Sequence, residues 1–168
     1  LFPGRNRKNV EYNEEKDPII SIITPYYNTN KYIDETVNSV LSQTWPYFEW
    51  IIVDDGSTNQ KDIEKLDEIQ KIDKRIKVFH KENEGPSAAR DFGAGKISKT
   101  SKYIVFLDSD DLINETYLEC AYWTLETNPK ASWAYTDTIN FDGEEFTWTK
   151  WYNPRKVMQD NILVMTAM

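Results

Sequence analysis

Apolar positions along the chain follow two rhythms. Short, largely apolar runs occur at Ile19–Thr24 (IISIIT), in Trp50–Ser57 (WIIVDDGS), at Ile76–His80 (IKVFH) and at Tyr103–Asp108 (YIVFLD). Such runs, bounded by Pro, Gly, Asn or Asp, predict strands buried on both faces. Between them the period lengthens to that of a helix. Ile33, Val37, Val40 and Leu41 form one stripe, with Asn30 as its expected N-cap, and Ile63, Leu66, Ile69 and Ile72 form a second. Pro86 opens a small-residue helix in PSAARDFGAG, where its fixed φ suits the first turn. Leu118, Ala121, Tyr122 and Leu125 form a further stripe that stops at Asn128-Pro129. Ala131–Asp137 reads as a fifth strand, and Asp142-Gly143 as a turn into another. Residues 1–17 are polar and irregular and read as a linker, leaving 18–168 as one domain. Strands alternating with helices predict an α/β fold, a mostly parallel Rossmann-like sheet with helices on both faces.

Ligands of such sheets bind at the carboxyl ends of the strands. The first strand delivers Thr24, Pro25, Tyr26, Tyr27 and Asn28 there; the second delivers Asp54, Asp55, Gly56 and Ser57. The third delivers His80, with Asn83 shortly after, and the fourth delivers Asp108, Ser109, Asp110 and Asp111. Taken singly, each has an ordinary explanation: Asp-Gly is a common turn, and aspartates often start helices. Together they bring five carboxylates to one rim. Crowded carboxylates need a cation or must take up protons. A hard divalent ion such as Mg2+ or Mn2+ accepts carboxylate oxygens and completes its shell with phosphates. The tyrosines add a flat surface for a base, so the rim suggests a nucleotide held through base, ribose and diphosphate. Neither GxGxxG after the first strand nor GxxxxGK[ST] anywhere is present, so metal must do the work of a glycine-rich phosphate cradle.

Composition narrows the field. The chain has 168 residues, 39% of them apolar, with ten tyrosines, enough for one domain with a core. A net charge of −8 argues against a nucleic-acid backbone as partner, because phosphate contacts need clustered Lys and Arg. The single Cys120 reads as a small core residue, and the single His80 excludes a multi-His metal site. No apolar run approaches the roughly 18 residues of a membrane span. A cytoplasmic setting, with peripheral association at the cytoplasmic face of a membrane, is the expectation.

The segments SIITPYYNTNKYIDETVNSVLSQTWPYFEWIIVDDGSTN, NEGPSAARDFGAG and YIVFLDSDD, in that order, resemble the nucleotide-sugar-binding half of a family 2 glycosyltransferase with the GT-A fold, over residues 18–140. The resemblance implies that Thr24, Pro25 and Tyr27 line the base pocket, that Asp54 or Asp55 accepts the base N3–H, and that Arg90 lies near the base or the phosphates. It makes Asp108-Ser109-Asp110 the DxD motif, with Asp108 on the ribose or sugar, Asp110 on the metal (Mn2+ or Mg2+) and Asp111 in support. It implies an inverting transfer from a UDP-sugar to a hydroxyl of a glycan or lipid-linked acceptor. The family's general base lies well beyond the DxD, in a segment with no counterpart here. Glu144-Glu145 is the acidic pair that follows, in a hairpin context, so the base is expected beyond Met168. Trp148, Trp151 and Tyr152 are candidates for a sugar-stacking surface. Two other classes were weighed. A sugar-1-phosphate nucleotidyltransferase would need a glycine-rich basic loop where PYYNTN stands. The other is a non-catalytic nucleotide-binding or regulatory module; a receiver-like one would carry its acidic pair on the first strand.

Overall fold

The computed structural model describes residues 17–140 and 146–148. The strands are β1 (Ile20–Tyr26), β2 (Phe48–Asp55), β3 (Ile76–Lys81), β4 (Tyr103–Phe106), β5 (Thr138–Asn140) and β6 (Phe146–Trp148). The helices are α1 (Ile33–Leu41), α2 (Gln60–Ile72), α3 (Pro86–Ala94) and α4 (Tyr117–Thr127). The first four strands form one sheet in the order β3-β2-β1-β4, all parallel. The chain works outward from β1 to β3, then crosses back to lay β4 on the other side of β1. The order therefore reverses between β1 and β4, where such a sheet opens a crevice at its carboxyl end. β5 and β6 pair antiparallel in a separate ribbon.

Alternation along the strands sorts the core into two layers. Ile20, Ile22 and Tyr26 of β1, with Trp50 and Ile52 of β2, join α1, α2 and α4 in the larger cluster. Ile51 and Val53 face the other way and pack with Ala89, Phe79 and Phe92 under α3. Gly93 allows α3 to lie close: a Cβ there would stand 2.5 Å from Cγ2 of Ile23 and 3.2 Å from Cγ2 of Val53. At the outer edge, the Val78 amide of β3 donates to the Gln70 side chain of α2 at 2.8 Å.

Several expectations shift. β1 runs through Pro25 to Tyr26 instead of ending at Thr24. Pro25 is tolerated because β4 pairs only as far as Ile23, so the side of the strand that would have received its N–H is already free of β4. Asn30 does not cap α1; Tyr32 holds that position without a side-chain bond, and the Asn30 amide donates to Asp62. Ile72 closes the α2 stripe but is 59% exposed. Cys120 is exposed, not part of the core. Ala131–Asp137 is not a strand. It contains one bridge residue, Tyr135, and only Ala134 is buried, so it offers no continuous apolar face to a sheet. The hairpin reading is met by the pairing of Asn140 with Phe146, while its turn at Asp142-Gly143 lies outside the described residues. The proposed linker up to residue 16, Glu144, Glu145, Trp151 and Tyr152 also lie outside them.

Candidate functional site

The adjacent pair Asp54-Asp55 ends β2, and strand alternation separates its charges. Asp54 points to the α1/α2 side, where Oδ1 accepts the Ser57 amide at 2.9 Å and Oδ2 meets Nδ1 of His80 at 2.8 Å. Asp55 points to the α3 side, where Oδ1 accepts Nζ of Lys81 at 2.8 Å and the Glu84 amide at 3.0 Å. Its Oδ2 accepts the Gly85 amide at 2.7 Å. The register explains both pairs: Asp54 lies beside His80 and Asp55 beside Lys81 across parallel strands. Burial pushes the Asp55 carboxyl up, but the Lys81 ammonium and the two amides outweigh it and hold the group below the usual carboxylate range. Gly56, at φ +75°, follows directly; a Cβ there would meet the Asn83 amide nitrogen at 2.8 Å, so this turn and the β3–α3 loop are in contact.

The acidic segment after β4 is arranged in the same way. Leu107 is fully buried and Ser109 nearly so, which leaves Asp108 and Asp110 on the open side. Ser109 is pinned twice: its hydroxyl meets that of Thr29 at 2.8 Å, and its carbonyl accepts Oγ1 of Thr36 at 3.0 Å. Nη2 of Arg90 donates to Oδ1 of Asp108 at 2.5 Å. Nε of Arg90 is buried without a hydrogen-bond partner among the described residues. Asp110 is exposed and has no hydrogen bond or ion pair with any described residue. The loop after β1 is fixed by Tyr26, whose buried hydroxyl donates to Oδ1 of Asp62 at 2.5 Å. Burial and the Asp62 carboxylate raise the phenol far above its usual range, so it stays protonated.

Together these elements enclose a cavity of about 490 Å³ at the β1/β4 switch point. Of the candidate site residues, Pro25, Tyr27, Asp55, Arg90, Asp108, Ser109 and Asp110 line it. Thr24 and Asp54 do not. The Thr24 hydroxyl is buried and accepts the Trp50 indole N–H at 2.8 Å, and Asp54 belongs to the opposite face of the sheet. Of the pair Asp54 and Asp55, Asp55 is the one that lines the cavity. The rim holds less unpaired charge than five crowded carboxylates imply. Four of the five expected rim carboxylates, Asp54, Asp55, Asp108 and Asp111, already have partners within the chain; among the described residues of that set only Asp110 stands open. Lys81, Thr29, Thr36 and Gly85 were missed as contributors, whereas Asn83, expected just after the third strand, lines the cavity. The signal for Lys81 was present: aligning FHK with VDD by strand end sets His80 beside Asp54 and Lys81 beside Asp55.

Residues 21–166 match the family described as glycosyl transferase family 2. An uncharacterized glycosyltransferase of Rickettsia conorii is 49% identical over 112 residues, 67% of this chain and 18% of that protein. TuaG of Bacillus subtilis, a putative teichuronic acid biosynthesis glycosyltransferase, is 45% identical over 104 residues, 61% of this chain and 40% of that protein. The crystal structure of S. aureus TarS 1–349 in complex with UDP-GlcNAc is similar at a TM-score of 0.59 and 32% identity, over 66% of this chain and 32% of that one. The chain thus spans less than half the length of each. A parallel sheet with its cavity at the switch point, the Asp108-Ser109-Asp110 segment opening into that cavity, and a family match over most of the sequence lead to one conclusion: the chain belongs to glycosyltransferase family 2.

Proposed function

We propose that this chain forms the donor side of a metal-dependent, inverting glycosyltransferase that uses a UDP-sugar. The observation that carries the reading is the open carboxylate of Asp110 beside Asp108, in a cavity whose far wall presents the ionised Asp55. Among the described residues no group of three or more His, Cys, Asp or Glu side chains could hold a metal ion. The protein's share would be Asp110 and Asp108, with remaining oxygens from water and the diphosphate, a donor set that fits Mg2+ or Mn2+. Such an ion would offset the charge that develops on the leaving diphosphate as a Lewis acid.

The chain's own residues divide the remaining work. Asp55 accepts the N3–H of uracil. Tyr27, 46% exposed at the cavity wall, offers a ring face to the base. Arg90 keeps Asp108 in place and lends positive charge near the phosphates. Ser109 carries the two carboxylates as one unit held by α1 and the β1–α1 loop. The TarS complex with UDP-GlcNAc supports a UDP-sugar donor, and TuaG supports a cell-surface polysaccharide as the setting. The acceptor is a hydroxyl of a glycan or lipid-linked glycan. Its activation requires a carboxylate within hydrogen-bond reach. Among the described residues no helix is long and apolar enough to cross a membrane; we place the enzyme at the cytoplasmic face as part of the same proposal.

Titration calorimetry with UDP, with and without Mn2+, tests the reading. The expected result is UDP binding that requires the ion and is lost in Asp110→Ala. Tight binding without metal, unchanged binding in Asp110→Ala, or a preference for UTP over UDP would overturn it.

A further inference from the structure

Lys81 does not line the donor cavity but holds Asp55, which does, and its three ammonium protons are all used within the chain. Nζ donates to Oδ1 of Asp55 at 2.8 Å and to the Glu82 carbonyl at 2.5 Å, and it pairs with Oε2 of Glu84 at 2.7 Å. The side chain is only 11% exposed. A lysine near a diphosphate would ordinarily be read as a phosphate ligand, but an ammonium has three donors and here none is left. Its contacts close a ring. Lys81 and the Glu84 amide share Oδ1 of Asp55, the Gly85 amide takes Oδ2, and the Glu84 carboxylate returns to Lys81. Residues 82–85 are thereby folded onto the end of β2, and Asn83 and Gly85 of that loop line the cavity with Asp55.

A carboxylate has about four acceptor positions. Three of those on Asp55 are filled, two on Oδ1 and one on Oδ2, leaving one on Oδ2. We propose that Lys81 is a positioning residue for nucleotide recognition, fixing Asp55 and the β3–α3 loop so that Asp55 presents one open acceptor position to the base. This rests on the reading of Asp55 as the partner of the base. An ionised group with one vacancy suits a base edge that offers an N–H, as uracil N3 does. It repels one that offers a lone pair there, as cytosine N3 and adenine N1 do. The charged groups around Asp55 are Lys81 from β3, Glu84 from the loop, Arg90 from α3, and Asp108 and Asp110 after β4. Arg90 is engaged with Asp108, and Asp54 with His80 on the opposite face, so Lys81 is the cation dedicated to Asp55.

Two measurements on Lys81→Met and Lys81→Arg test the inference. The first follows the Asp55 carboxyl carbon by NMR through an acid titration without nucleotide. Its midpoint should lie below the usual carboxylate range in the wild type, rise in Lys81→Met and return in Lys81→Arg. The second measures UDP binding with Mn2+ by calorimetry from about pH 5 to pH 7.5, a range above the ordinary carboxylate pKa. Wild-type affinity should be flat with respect to loss of the Asp55 charge. Lys81→Met should bind about tenfold more weakly and weaken further toward acid, as expected when one charge-assisted contact is removed. Lys81→Arg should recover most of the affinity. An Asp55 titration unmoved in Lys81→Met overturns the proposal. So does equal weakening of both variants at every pH, which would mark Lys81 as a general structural support. If the wild type binds no UDP while Asp55 still responds to Lys81→Met, the donor reading has failed, and Lys81's part in recognition falls with it.

Discussion

Replacing Gly93 by alanine tests whether the close seat of α3 on the sheet holds the site together. A Cβ at this position would approach Cγ2 of Ile23 to 2.5 Å and Cγ2 of Val53 to 3.2 Å. Carbon atoms pack best at about 3.5–4.0 Å, so about 1 Å must be absorbed. Ile23 cannot absorb it: it is fully buried in β1, between β2 and β4, and a β-branched side chain has few rotamers to try. The helix must lift instead. Overpacking of this kind costs about 1–3 kcal/mol. Alanine regains about 1 kcal/mol of helix propensity over glycine. The contact is at the severe end, so a net loss of about 1–2 kcal/mol is expected. Arg90 lies one turn earlier on the same face, with its hydrogen bond to Asp108 at 2.5 Å. A lift of about 1 Å stretches that bond to the limit of a useful contact. Urea unfolding followed by circular dichroism measures the first effect, and UDP binding in the presence of Mn2+ measures the second. Gly95→Ala is the control: its φ is −72° and its nearest neighbour, the Phe92 carbonyl oxygen, would be 3.3 Å away. A Gly93→Ala protein as stable as the wild type and undiminished in binding would refute the reasoning.

Two further outcomes concern the polar framework. Tyr26→Phe removes the hydroxyl that donates to buried Asp62, a bond to a charged group worth about 1.5–3 kcal/mol, and the unfolding midpoint should fall accordingly. Acid should destabilise the chain. Burial tends to raise the Glu49 carboxyl, but Lys77, Ser21 and Ser98 outweigh it and hold it below its ordinary value; Asp55 and Asp73 are likewise lowered. A depressed folded-state value contributes stability that is present above the unfolded pKa and lost as pH falls through the folded one. Melting temperatures measured from about pH 6 down to pH 3 should therefore decline, and Glu49→Gln should flatten that decline. A steeper decline in Glu49→Gln would contradict the assignment.

The sequence made the parallel sheet legible because β1, β2 and β4 carry unbroken apolar runs, the mark of strands buried on both sides. It was less informative where burial is one-sided. Ala131–Asp137 contains β-forming residues, but only Ala134 is buried, and propensity without a partner face made no strand. Asn30 had the right chemistry for a cap, yet α1 begins only at Ile33, and Asn30 belongs to the preceding loop, where its backbone N–H donates to Asp62, 32 positions away. The site followed the same division. Pro25, Tyr27, Asp55, Asp108 and Asp110 could be placed because strand ends predict which residues share a rim, while Arg90, on α3, was placed only through the family resemblance. Whether each acid was free or already paired could not be read that way. It depends on cross-strand register, which set His80 against Asp54 and Lys81 against Asp55. Thr36 was hidden for another reason: an interior helix residue, it reaches a backbone carbonyl in a loop 73 positions away.

The Gln70 side chain bonded to the Val78 amide has a consequence for how this sheet can grow. A strand edge recruits neighbours through unpaired amides, and here a helix side chain occupies one of them in the middle of β3. A second polypeptide approaching from that side would have to displace an existing bond before forming its own. The β4 edge has no such plug among the described residues. Lateral extension of the sheet is thus biased to one direction, the side on which Asp108 and Asp110 emerge. Any segment added there would be built next to the donor cavity, while the β3 flank stays sealed against stray pairing.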